Sequence, residues 1–214
     1  MSNSILLFGA GGHCRSCIAV VESCPDWKIA GIAGLPAEVG GSVLGYDIIG
    51  SDDDLDRMRG ICDQALITVG QLQSAAVRCR LYEKLRAAGF RLPSLVASTA
   101  FVSGHADVGP GTIVMHHAFV NAGARVGENC IINTRAVIEH DANIGDSTHV
   151  STGAIVNGGV TIGERTLVGS SAVVIQERQV GSDVVVAAGA VVTTSISDGM
   201  RVAGVPAVPI RRRS

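Results

Sequence analysis

The sequence predicts two units in series: a small α/β unit with a parallel sheet, then a parallel β-helix. Three observations carry this. From Val102 to Val192 every sixth residue is Val or Ile, sixteen in succession with no insertion. Ahead of that run, short aliphatic stretches alternate with helix-like segments, the pattern of a parallel sheet. Aromatics are scarce, at 3% of 214 residues: one Trp, two Tyr and four Phe. Only Phe119 among them falls between 102 and 197. Val, Ile and Ala must therefore build that core, and narrow stacked sheets suit them better than a sandwich that needs large rings.

The first unit reads in order. Ser4 to Phe8 is a short buried strand, and Gly9-Ala10-Gly11-Gly12-His13 turns into a helix from Cys14 to Glu22. Lys28 to Ile32 is a second strand and Tyr46 to Ile49 a third. Ser51 suits the N-cap of a short helix with Asp52, Asp53 and Asp54 in its first turn, where carboxylates oppose the helix dipole. Ala65 to Val69 is a strand ending at Gly70. Ser74 to Ala88 is an amphipathic helix closed by Gly89. Strand, glycine turn and helix N-terminus make a Rossmann-type phosphate site, although Cys14 stands where the third glycine of GxGxxG would be.

The second unit is governed by the hexad. The position four after each Val or Ile is mostly small, as at Ala118, Ala124, Ala136, Ala142 and Ala154. A period of six fits neither an α-helix nor plain strand alternation. It fits a triangular coil in which each hexad makes one side, the aliphatic points inward and small residues fit the corners. Three hexads make one coil, so sixteen make just over five coils. Residues 1–97 form the first unit and 98–214 the second, which ends in a basic tail at Arg211, Arg212 and Arg213.

Composition excludes several classes. A net charge of −2 gives no basic groove for nucleic acid. No run of about 20 apolar residues is present, so no membrane span is expected, and Met1 to Phe8 lacks the form of a signal peptide. The six cysteines are scattered and read as free thiols in a cytoplasmic protein; Cys14 and Cys17 read as one buried helix face.

The combination resembles the bacterial sugar acetyltransferases grouped around NeuD and PglD. The resemblance is carried by GAGGH at 9–13, ITVGQ at 67–71, RLYEKLRAAGF at 80–90, the stretch 132–163 with its IEHD and HVSTGA, and VAGVPA at 202–207. It implies a left-handed hand for the β-helix, acetyl-CoA as donor with no metal, a nucleotide-sugar acceptor, and a homotrimer with active sites between subunits. It assigns His140 as general base with Asp141 as the acid behind it. Gly11, Gly12, His13 and Gly70 match nucleotide-sugar contacts. His149, Gly158, Ser170 and Ala188 match contacts to the acetyl donor. One departure stands out: the segment after the second strand, Gly31-Ile32-Ala33-Gly34-Leu35, lacks the acidic pair many members carry, which leaves the nucleotide open.

The residues themselves support acyl transfer. An attacking amine or hydroxyl must lose a proton, and imidazole titrates near working pH. Glu139 and Asp141 flank His140, and either would raise its basicity. Gly158 lies three hexads on, one coil away on the same face, where a backbone N–H suits a developing oxyanion. His140 occupies the third position of its hexad and points outward. The expected function is N-acetylation of a nucleotide-linked amino-deoxy sugar, with O-acetylation of a sialic-type sugar as the alternative. A γ-class carbonic anhydrase would need zinc histidines five apart, whereas His140 and His149 are nine apart. A non-enzymatic scaffold would show no response to acetyl-CoA. His105, His116 and His117 read as surface or interface histidines.

Overall fold

A computed structural model describes residues 3–71 and 74–210; the arginine tail at 211–213 lies outside the described residues. The first unit holds a five-stranded sheet built from β1 (Asn3–Phe8), β2 (Trp27–Gly34), β3 (Ser42–Val43), β4 (Tyr46–Ser51) and β5 (Ala65–Ile67), in the order β3-β4-β2-β1-β5. Pairing is parallel except between β3 and β4. Three helices accompany it: α1 (Gly12–Glu22), α2 (Leu55–Ile61) and α3 (Ala76–Ala87). Gly89 closes α3 with φ +79°, as a C-terminal glycine should.

One expected boundary moves. Ser51 does not cap α2 but ends β4, where it is held in register opposite Gly34. Its hydroxyl accepts the Asp53 N–H at 3.3 Å, and the helix begins three residues later than the Ser51 cap predicts, behind Asp54.

The second unit is a left-handed β-helix of triangular section. Its strands are short pairs of residues, and each runs parallel to the strand three hexads on, as Phe119 pairs with Val137 and Val137 with Ile155. Three faces result. Face one stacks six strands, from Phe101–Val102 to Val191–Val192. Face two stacks five, from Asp107–Val108 to Gln179–Val180. Face three starts with β6 (Leu95–Val96), runs through Val185–Val186 to Arg201–Ala203, and ends in the antiparallel Val208–Pro209. Val120, Ile138, Ile144, Val156 and their hexad partners fill the prism with the small residues Ala124, Ala136, Ala142 and Ala154. Short aliphatic and methyl groups make up this buried core.

The outward residue of each strand gives every face its character. Face two presents Asp107, Arg125, Asn143, Thr161 and Gln179, all exposed. Face three presents Leu95, Ile113 and Ile131, buried in one cluster with Cys14, Cys17, Ile18 and Val21 of α1. The first unit is thus seated on face three, which accounts for the buried Cys14 and Cys17. Face one presents Phe101, Phe119, Val137, Ile155, Val173 and Val191, an apolar column that is exposed at Phe101 and half-buried elsewhere. Phe101 and Phe119 stack at 4.9 Å with an interplanar angle of 17°.

Candidate active site

Two places carry the expected site residues. The first is a cavity of about 430 Å³ over the carboxyl ends of β1, β2 and β5. This is the point where strand order reverses around β1, the usual ligand position in open α/β sheets. Gly9 adopts φ +122°, and a Cβ there would lie 2.7 Å from Val69 Cγ2, so the turn requires glycine. Gly11 sits at the N-cap of α1 without a side-chain cap, and nothing lies within 4 Å of a Cβ on Gly11 or Gly12. The first N–H groups of α1 are therefore open to an anionic group. Gly70 closes against His13, whose Cβ would be 3.4 Å from a Gly70 side chain. Burial, reinforced by the charge of Arg78, lowers the His13 pKa to about 4, so its imidazole is neutral. Its Nε2 is buried without a hydrogen-bond partner.

The cavity also holds charged residues that the sequence does not assign to a site: Glu38, Asp52, Arg80 and Lys84. Glu38 matters most. A short 3₁₀ turn, Pro36–Glu38, folds its carboxylate back so that Oε2 accepts the Leu35 N–H at 2.7 Å. A Cβ on Gly34 would lie 2.8 Å from that oxygen. An acid therefore stands at the end of β2 although the segment 31–35 contains none.

The second place is the prism corner between faces one and two. A cleft of about 470 Å³ there is lined by Glu139, His140, Asp141, Asn157, Gly158 and Gln176, among others. His140 Nδ1–H donates to Asp141 Oδ2 at 2.9 Å, while Glu139 accepts from Asn121 Nδ2 at 2.7 Å. Asp141 is thus the acid behind His140, and Glu139 is engaged elsewhere. The hydrogen bond to Asp141 raises the His140 pKa above the usual histidine value; slight desolvation opposes this, and the charges of Asp141 and Glu139 add to it. Asp141 adopts φ +59°, the conformation that brings its carboxylate to the preceding ring. With Nδ1 committed, Nε2 is the free base, and it faces Gly158: a Cβ there would lie 2.6 Å from it.

The donor-side residues divide. Ser170 and Ala188 stack on the corner between faces three and one; the Gly189 N–H donates to the Ser170 carbonyl at 2.8 Å. His149 lies on face three, and its side chain is only 6% exposed. Its Nδ1–H donates to the Gln71 carbonyl at 3.3 Å and its Nε2 accepts from Asn133 Nδ2 at 3.0 Å. Burial, then the nearby Arg78 and His13, lowers its pKa to about 3. The ring is a component of the joint between the two units, with both of its nitrogens engaged there. His116 is a joint residue too, within 2.8 Å of Thr99 Oγ1 and 3.3 Å of the Ala19 carbonyl.

Within one chain the two places are far apart in the architecture. The first unit covers face three, and His140 occupies the corner opposite that face.

Among the described residues, no group of three or more His, Cys, Asp or Glu is arranged to hold a metal. No helix among them is long and apolar enough to cross a membrane. Comparison with known proteins agrees with this architecture. The family model for the PglD N-terminal domain matches residues 4–85. The acetyltransferase domain of PglB from Neisseria gonorrhoeae, solved with acetyl coenzyme A, is 34% identical; the match covers 98% of this chain and 100% of that one, with a TM-score of 0.89. PerB from Caulobacter crescentus, solved with CoA and GDP-perosamine, is 30% identical over 98% of both chains, with a TM-score of 0.91. WeeI from Acinetobacter baumannii shares the fold at 22% identity, with 98% and 100% coverage and a TM-score of 0.85. No curated protein sequence matches. At this identity and coverage, the chain belongs to the NeuD/PglD-like family of sugar acetyltransferases.

Proposed function

We propose that this protein transfers the acetyl group of acetyl-CoA to the amino group of a nucleotide-linked amino-deoxy sugar, with His140 as general base. The observation that carries the reading is the His140–Asp141 pair set against Gly158. Nε2 takes the proton as the amine attacks the thioester carbonyl. Asp141 fixes the tautomer and favours the imidazolium that forms. The backbone N–H of Gly158, next to the His140 ring, serves the developing oxyanion. Gly11, Gly12, His13 and Gly70 receive the nucleotide sugar, and Ser170 and Ala188 lie where main-chain groups can contact the donor. Residues 1–97 thus serve recognition and 98–214 serve acyl transfer.

The active form is a homotrimer. The acceptor cavity rides on face three, and the chain's own base is at the opposite corner, so a cavity needs His140 of a neighbouring subunit. The apolar column on face one, which ends at the His140 corner, supplies the surface for that neighbour. Six free cysteines suit a reducing compartment, and the cytoplasm is the place assigned.

Thiol release from acetyl-CoA, measured with GDP- and UDP-linked amino sugars including GDP-perosamine, tests the reaction. His140→Ala should lower kcat by about 10²–10⁴-fold and leave the circular dichroism unchanged. Turnover at the wild-type rate in that variant, or acetylation of hydroxyl acceptors alone, would overturn the reading.

A further inference from the structure

Arg78 is the most unusual side chain outside the proposed chemistry. It projects from α3, is 1% exposed, and forms no ion pair with any carboxylate among the described residues. Its guanidinium instead donates to three neutral oxygens: the Asn129 carbonyl, the Ser147 carbonyl at 2.6 Å and Gln71 Oε1 at 2.8 Å. Gln71 in turn donates from Nε2 to the Arg165 carbonyl at 3.0 Å. Asn129, Ser147 and Arg165 follow one another at intervals of one coil, and all have positive φ, at 53°, 57° and 56°. They are successive rungs of a single prism corner, between faces two and three, whose carbonyls turn outward. Arg78 and Gln71 together cap three rungs in a row.

A buried guanidinium held only by dipoles is costly, and a flat apolar contact would serve docking better. The arrangement makes sense through what it holds. Gln71 directly follows Thr68, Val69 and Gly70, which wall the acceptor cavity, and its carbonyl receives His149. Gly70 packs on His13. One hydrogen-bonded chain therefore runs from the prism corner to the cavity wall.

We infer that Arg78 and Gln71 are positioning residues: they set the height of the acceptor cavity along the prism, so that the sugar amine of one subunit meets the base of the next. This rests on the proposed function for its consequence in turnover, and on the hydrogen-bonded chain for its structure. The fork matters because only a planar guanidinium spans two rungs and a side-chain amide at once. Displacing the amine by an ångström costs about 10²-fold in rate.

Arg78→Met and Gln71→Ala test this in the full-length protein. Hydrogen exchange of segment 65–71 should rise about tenfold in both variants, with prism amides unchanged. Calorimetric Kd values for acetyl-CoA, and for whichever of GDP and UDP binds the wild type, should stay within about twofold, while kcat falls about tenfold or more and further in Arg78→Met. Unchanged exchange over 65–71, a kcat at the wild-type level, or a kcat loss matched by equal loss of nucleotide binding would each overturn the positioning role. Should Arg78→Met fail to fold, Gln71→Ala decides alone. Absence of wild-type turnover on every amino sugar would refute the functional reading, and the exchange measurement would still decide whether Arg78 and Gln71 hold the cavity wall.

Discussion

A methyl group at Gly158 would lie 2.6 Å from His140 Nε2 and 2.7 Å from Cε1, closer than any real contact. The ring belongs to an exposed side chain, 63% accessible, so it can swing aside at little cost to the fold. Swinging aside takes Nε2 away from the reacting amine and strains the bond to Asp141. Gly158→Ala should therefore keep its melting temperature and lose about a hundredfold in kcat, approaching His140→Ala; a fall in melting temperature with activity intact would contradict this. Asp141 makes a separate prediction. If His140 is the base it must be neutral to act, so kcat/KM should rise with pH through a midpoint above the ordinary histidine value of about 6.5. Asp141→Asn removes the largest cause of that elevation. Its acidic limb should move to lower pH, and its plateau should fall because the base is weaker. A limb that does not move in the pH–rate profile would mean that another group titrates.

Elements differ in how far the sequence discloses them. The hexads were fully legible, because the contacts that stabilise each strand are its neighbours one coil away and every coil repeats the same packing. The sheet and helices of the first unit were legible in type, but their ends were set by register, as at Ser51. Glu38 was hidden because a turn, not a strand position, brings it to the end of β2. The role of α3 was hidden for a longer-range reason. Arg78, Tyr82 and Arg86 recur every four residues and share one helix face. An amphipathic reading gives arginines to solvent, yet that face meets the prism: Tyr82 donates to Glu128 at 2.7 Å, and Arg86 pairs with the same carboxylate at 3.1 Å. That partner is remote in sequence from both, beyond any local pattern. His149, one position before the inward Val150, faces outward, but outward on face three means under the first unit. The His140–Asp141 pair, by contrast, is local in sequence and was readable, whereas the choice of Asp141 over Glu139 needed the Asn121 hydrogen bond.

At the scale of the molecule, the three faces have three fates: one polar, one covered by the first unit, and one an unshared apolar column. Within one prism the cavity on face three and His140 at the far corner stay apart. If neighbouring chains complete each site, two variants that are inactive for different reasons should rescue each other. Gly11→Trp would fill the cavity, where a side chain at Gly11 meets nothing within 4 Å, and leave His140 intact. His140→Ala does the reverse. Each alone should be inactive. Dissociated and reassembled in equal amounts, they should recover about a quarter of wild-type activity, because random pairing gives that share of sites one intact cavity and one intact base. Ile155→Asp, in the middle of the face-one column, should give monomers by sedimentation and abolish both activity and rescue. Sites contained within single chains would instead give no recovery on mixing, and a fully active Ile155→Asp monomer would show that the base and the cavity meet without a partner.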